Sequence, residues 1–194
     1  MGKIFYIMGK SSSGKDSIFK EIKKREPELK DIVLYTTRPI REGEQDGVEY
    51  HFVNEEKLRD FEKKGCVIEQ RAYDTKCGIW YYFTADDGQV DLENENYLVI
   101  GTLESFHAMK EYYGKDVVIP LYVEVEDGLR LSRALERERQ EREPKFAEVC
   151  RRFLADTEDF SEENLVVAEI EKRFENVVFE DCVNEMIEWI KRYL

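Results

Sequence analysis

The sequence predicts an α/β fold in three layers, a parallel sheet with helices on both faces, interrupted by a β-rich insertion and a helical lid. Three observations predict it. Short apolar runs alternate with amphipathic helical patterns, as strand–helix–strand units require. Residues 35–90 break that rhythm with period-two patterning, and residues 130–155 are densely charged at helical spacing. A chain of 194 residues with 42% hydrophobic content can bury one core and carry insertions. The expected organisation is a single domain over residues 1–194, with its core at 1–34, 91–129 and 156–194, the insertion at 35–90 and the lid at 130–155.

In chain order, Ile4 to Met8 reads as a buried strand, followed by a helix up to Pro27. Tyr97 to Ile100 then Leu103 to Tyr112, and Val117 to Val123 then Leu129 onward, repeat the unit. The run Asn176-Val177-Val178-Phe179 is expected as the last strand, and Val183, Met186, Ile187, Ile190 and Leu194 as the face of a closing helix. Within the insertion, Gly43 and Gly47 mark turns before the alternating runs Val48-Tyr50-Phe52, Val67-Glu69-Arg71 and Trp80-Tyr82. The lid carries Arg133, Arg137, Arg139, Arg142, Arg151 and Arg152, most of which read as solvated charges on helix surfaces.

Directly after the first strand comes Gly9-Lys10-Ser11-Ser12-Ser13-Gly14-Lys15-Asp16, which fits the phosphate-binding pattern G-x-x-x-x-G-K-[ST] at every fixed position but the last. The glycines let backbone N–H groups turn inward, the next helix presents its positive end, and a lysine reaches the terminal phosphates. A plain Gly/Ser turn is the weaker alternative, because spacing, lysine and strand–loop–helix context agree. Residues Gly9, Lys10, Ser11, Ser12, Ser13, Gly14, Lys15, Asp16 and Ser17 are therefore expected to bind ATP. Asp16 stands where a hydroxyl usually meets Mg²⁺; its carboxylate offers a hard oxygen in that role, and Lys10 offsets its repulsion from phosphates.

The net charge of −13, with both signs interleaved, leaves no broad positive face for nucleic acid or an anionic membrane. Any anionic ligand is gripped locally. Cys66, Cys77, Cys150 and Cys182 show no C-x-x-C spacing and read as reduced thiols of a cytoplasmic protein. His51 and His107 are isolated and read as structural or surface residues. No apolar stretch reaches bilayer-spanning length.

Thr36-Thr37-Arg38-Pro39-Ile40-Arg41-Glu42-Gly43-Glu44, followed by Asp46-Gly47-Val48-Glu49-Tyr50-His51-Phe52, then Ile68-Glu69 and an arginine-rich lid, resembles the guanylate kinase family of nucleoside monophosphate kinases. The family pattern T-T-R-x-x-R-x-G-E then D-G-x-x-Y-x-F is long and specific. The resemblance implies a P-loop NTPase core with a monophosphate-binding insertion, ATP and GMP as small-molecule partners, and Mg²⁺ as cofactor. It also implies that Arg38, Arg41 and Tyr50 hold the acceptor phosphate, that Glu44 orients the arginines, and that Glu69 reads the guanine edge. Forked guanidiniums and a neutral phenol suit that phosphate. In the lid, Arg133-Ala134-Leu135-Glu136-Arg137 and Val149-Cys150-Arg151-Arg152-Phe153 resemble family motifs. They imply that Arg137 and Arg152 join Lys15 as the catalytic cations, with Arg133 close behind.

The base pocket departs from the family. Leu34 replaces a serine, Cys77-Gly78-Ile79 replaces Y-G-[ST], with Tyr81 or Tyr82 available to replace the tyrosine, and Val99-Ile100-Gly101-Thr102 lacks the usual acidic residues. The sequence thus implies a monophosphate kinase more firmly than guanine selectivity. Two other readings stay open: an enzyme similar to ribose 1,5-bisphosphate kinase, whose loop also ends Gly-Lys-Asp, and a non-catalytic interaction module of the same fold.

Overall fold

The computed structural model describes residues 1–75 and 78–194. The first strand, β1 (Ile4–Met8), is buried along its whole length, as the middle strand of a parallel sheet must be. Helix α1 (Lys15–Arg25) follows, with Asp16 in its first turn and Lys23, Lys24 and Arg25 in its last, the charge order a helix dipole favours. Two short strands, β2 (Lys30–Asp31) and β3 (Tyr35–Thr36), lead into the insertion. There β4 (His51–Phe52) precedes helix α2 (Glu55–Lys64) and the long strands β5 (Val67–Thr75) and β6 (Gly78–Ala85). The core resumes with β7 (Tyr97–Ile100), α3 (Leu103–Tyr113) and β8 (Val118–Glu124). Helices α4 (Asp127–Arg139), α5 (Phe146–Asp159) and α6 (Glu162–Val167) come next, then β9 (Arg173–Glu175) and α7 (Phe179–Ile190).

The core sheet runs in the order β2-β7-β1-β8-β9 and all its pairings are parallel. Alternation along β1 sorts the two faces. Ile4, Tyr6 and Met8 join Phe106 and Met109 of α3, while Phe5 and Ile7 join Ile18 and Ile22 of α1 and Val183, Met186 and Ile190 of α7. Each such side chain contributes about 1.5–3 kcal/mol on burial, so the three layers are bound by β1. No helix among the described residues is long and apolar enough to cross a membrane.

The insertion forms a second sheet in the order β4-β3-β6-β5, with β3 and β6, and β5 and β6, antiparallel. A bulge between Val67 and Glu69 resets the register of β5. Glu69, Arg71 and Tyr73 therefore share one face with their cross-strand partners Thr84, Tyr82 and Trp80. The opposite face supplies Phe83 to a separate core with Tyr35, Leu58 and Phe61.

Two expectations are corrected. The helix α2 lies inside a segment read as β-rich. Asn54 caps it, accepting from Lys57 N at 2.9 Å, and Gly65 ends it in the left-handed region. The last strand is β9, three residues before the apolar run expected to form it. Its pairing ends at Glu124↔Glu175, after which Asn176 turns inward and Val177 and Val178 stay 62% and 54% exposed.

Candidate active site at the phosphate loop

The phosphate loop leaves the C-terminal end of β1 and ends in the first turn of α1. Two of its positions admit only glycine. A Cβ on Gly9 would sit 2.5 Å from the Val123 carbonyl oxygen, and one on Gly14, at φ +88°, 2.4 Å from Asn176 Nδ2. Ser12 also adopts a positive φ of 63°, a conformation costing about 1–3 kcal/mol that its surroundings must hold. They do so with three side chains from distant parts of the chain. Asn176 Nδ2 donates to the Ser13 carbonyl at 2.7 Å, Asp156 accepts from the Ser11 N–H at 2.8 Å, and Arg130 donates to Asp156 at 3.2 Å. Arg130 is 1% exposed and also reaches Asp127 at 3.0 Å, with its guanidinium 4.1 Å from the Phe153 ring centroid.

The loop's own side chains divide into two groups. Lys15 lies beside Asp16, with Nζ 3.7 Å from its Oδ2, and the Asp16 side chain is 78% exposed. Ser17 is exposed on the same turn, whereas Ser13 Oγ is buried with no hydrogen-bond partner among the described residues. Lys10 does not serve Asp16 as expected: its ammonium pairs with Asp127 of α4 at 3.3 Å. A glycine-walled cradle with an orphaned buried hydroxyl is the chemistry that fits a phosphate chain. For a divalent cation the donor set fits one carboxylate, Asp16, with the remaining oxygens coming from the substrate. Among the described residues no group of three or more His, Cys, Asp or Glu side chains forms a metal cage.

Across from the loop, a cavity of about 500 Å³ is walled by Lys15, Asp16, Arg41, Tyr50, Tyr82 and Arg152, among others. The structure thus brings loop, insertion and lid to one space. Glu44 accepts the Arg38 fork at 2.7 and 2.6 Å and the Arg41 backbone N–H at 2.8 Å. Arg38 is only 4% exposed, packs between the Tyr50 and Phe52 rings, and keeps a buried Nε–H without an acceptor among the described residues. Arg41 is exposed at the cavity. Of the two tyrosines available to face it, Tyr82 does, 5.6 Å ring to ring from Tyr50; Tyr81 packs against the Phe83 core on the other face.

Glu69 is not brought to the cavity wall. Its Oε1 accepts from Thr84 and Ser105 hydroxyls, both at 2.9 Å, and its Oε2 accepts from Arg71 Nε at 3.0 Å. Leu34 gives the cavity an apolar side, Ile79 is half exposed, and Cys77 lies outside the described residues.

In the lid, Arg137 donates to Ser12 Oγ at 3.3 Å, and Arg137 and Arg152 share a cleft of about 120 Å³ with Ser11 and Ser12. Arg151 and Arg152 both donate to Glu148 at 2.8 Å, and Arg133 reaches the Asn176 carbonyl at 3.0 Å.

A family model described as guanylate kinase matches residues 1–105, more than half of the chain. The chain belongs to the guanylate kinase family. Curated relatives called guanylate kinase include those of Neisseria gonorrhoeae, 33% identical over 62% of this chain and 60% of theirs, and Helicobacter hepaticus, 31% identical over 58% and 56%. That of Desulfotalea psychrophila is 40% identical over 35% of this chain and 34% of its own length. The matched segments thus span a third to three fifths of those relatives. The crystal structure of guanylate kinase from Anaplasma phagocytophilum covers 98% of this chain and 85% of its own, at 16% identity and a TM-score of 0.65, which shows the common P-loop NTPase fold.

In this guanylate kinase family member, four site residues escaped sequence reasoning: Arg71, Arg130, Asp156 and Asn176. Arg130 carried a signal in Asp127, an acidic partner three residues before it at helical spacing. Asn176 carried one too, a polar residue opening an apolar run that was read as strand.

The Arg38 guanidinium lowers the Glu44 carboxyl from 4.5 to about 2. Between those values the unfolded chain holds more protons than the folded one, so stability rises with pH across that window. Glu44 stabilises fully above its unfolded value and loses that contribution as pH falls towards 2. In urea titrations, Glu44→Gln is expected to flatten the dependence of unfolding free energy on pH within this window. Parallel curves for the two proteins would contradict the assignment.

Proposed function

We propose that this chain is an ATP-dependent guanylate kinase, transferring the γ-phosphoryl group of ATP to GMP to give ADP and GDP. One observation carries the reading: Lys15 of the phosphate loop, Arg41 and Tyr50 of the insertion and Arg152 of the lid all open onto the same cavity. The names of the curated relatives point the same way.

The loop N–H groups and Lys15 hold the donor phosphates, and Arg41, Tyr50 and the free Nε–H of Arg38 receive the acceptor phosphate. Its oxygen attacks the γ-phosphorus in line while the β–γ bond breaks, so ADP leaves and no enzyme nucleophile is needed. Arg137 and Arg152 supply fixed positive charge where negative charge spreads. Mg²⁺, held by Asp16, would supply charge neutralisation at the phosphates when bound. Closure of α4 and α5 over the loop excludes water.

A coupled ADP-release assay against GMP, AMP, CMP, UMP and ribose 1,5-bisphosphate tests the proposal. Turnover of GMP supports it; turnover of the ribose compound alone would transfer the assignment to the second reading, which Asp16 at the end of the loop favours. Thermal stabilisation by MgATP separates either enzyme from a non-catalytic module. Asp16→Ser is expected to lower the steepness of the Mg²⁺ dependence, since a neutral hydroxyl repels the triphosphate less; an unchanged Mg²⁺ titration removes Asp16 from that role.

A further inference from the structure

We infer that Arg71, and not Glu69, is the residue that reads the acceptor base, so that the pocket selects 6-oxopurine monophosphates with little discrimination at C2. This inference rests on the proposed kinase site and specifies its acceptor.

The bulge in β5 puts Glu69 and Arg71 on the face that looks toward the cavity, but only Arg71 belongs to its wall. Glu69 is behind it, with a side chain 6% exposed. Its carboxylate takes Arg71 Nε at 3.0 Å, Arg71 NH2 at 3.3 Å, Thr84 Oγ1 at 2.9 Å and Ser105 Oγ at 2.9 Å. Those four bonds fill most of the roughly four lone-pair positions a carboxylate offers. Little acceptor capacity remains for the ring N–H and exocyclic amine of guanine.

Arg71 is differently placed. Its Nε and one N–H of NH2 go to Glu69, and one N–H of NH1 goes to Thr102 Oγ1 at 3.1 Å. One N–H on each terminal nitrogen is left without an acceptor among the described residues. One unused donor on each terminal nitrogen is the complement that O6 and N7 of guanine require. Hypoxanthine presents the same pair, whereas adenine presents N7 beside an amino group that a guanidinium cannot satisfy. Leu34 gives the cavity an apolar wall, and Tyr82 stands opposite Arg71 across the strand pair. Glu69 is a positioning residue, holding the fork through its Nε edge.

The test measures equilibrium binding and kcat/KM for GMP, IMP and AMP on the wild-type chain, Glu69→Gln and Arg71→Ala. The wild type is expected to take GMP and IMP within about threefold of each other and AMP about a hundredfold less well. Arg71→Ala is expected to shrink the GMP-to-AMP ratio by about tenfold or more, and Glu69→Gln to lower GMP and IMP together with their ratio kept. A wild-type preference for GMP over IMP of about a hundredfold, or a Glu69→Gln variant that erases such a preference, overturns the inference, because a carboxylate reading the amine rejects its absence strongly. If Arg71→Ala fails to fold, the wild-type and Glu69→Gln ratios decide. Selective binding without phosphoryl transfer removes the kinase reading and keeps this one; absence of binding by all three nucleotides removes this one, whichever acceptor is turned over.

Discussion

Lys15→Ala is expected to lower kcat for phosphoryl transfer by at least about a hundredfold while leaving the thermal unfolding midpoint of the unliganded chain nearly unchanged. Among the described residues the ammonium has one ionic neighbour, Asp16 at 3.7 Å, and the side chain keeps 22% exposure, so the core loses nothing when it is removed. What disappears is a positive charge at the mouth of a cradle already fixed by Gly9, Gly14 and Asn176. The stabilisation by MgATP should shrink as well if the same charge holds the ground-state phosphates, as proposed. Retention of half the activity or more would dismiss Lys15 from the transfer step. A collapse of the unliganded unfolding midpoint would show instead that the lysine is structural.

Arg38→Ala is expected to act on both stability and acceptor binding. Its fork is bonded to Glu44 and its side chain is 3% exposed, so truncation leaves a carboxylate facing a vacated, mostly dry space. The expected loss is about 3 kcal/mol, the low end for breaking a buried pair because Glu44 keeps some water. In the surviving folded fraction, the KM for the acceptor should rise at least about tenfold with the KM for ATP little changed. Glu44→Gln separates the two effects: Arg38 stays in place with one neutral acceptor for its fork, so the acceptor KM should rise far less than in Arg38→Ala. Equal rises in both KM values on Arg38→Ala would remove Arg38 from the acceptor side.

The core elements and the loop were legible because each rests on local pattern. Ile4 to Met8 is a continuous apolar run, and a continuous run is what a strand covered on both faces needs. The limits of Tyr97 to Ile100 follow from the same logic. The helix α2 was missed because its apolar positions, Leu58 and Phe61, are few among ten residues, so the cap at Asn54 was the stronger clue. The displacement of the last strand has a tertiary cause. Val177 and Val178 have high strand propensity, yet the pairing with β8 is exhausted at Glu175 and the chain must turn to let Asn176 reach Ser13.

The candidate site was legible in composition but not in pairing. The loop could be named from spacing, since its motif records which groups a phosphate needs, whereas the arginines and the tyrosine were named from the resemblance to the guanylate kinase family. Which partner each group takes is set by packing between segments far apart in sequence. Glu69 was given the guanine edge by the resemblance alone, and the sequence did not show that Arg71, two residues on along the same strand face, bonds its carboxylate. Lys10 was read as offsetting the repulsion between Asp16 and the phosphates, although α4 brings Asp127 to it.

The clamp on the phosphate loop has a consequence for how this chain acquires its site. Ser13 is tied to Asn176 across 163 residues of sequence, and Ser11 to Asp156 across 145. Closing loops of that length is entropically expensive and comes only once the intervening sheet has ordered. The phosphate loop therefore gains its Asn176 clamp only when β9 has added to the edge of the sheet. The clamped shape of the loop thus belongs to the finished fold and not to its local strand–loop–helix unit alone, since two of its three fastenings lie at the far end of the sequence.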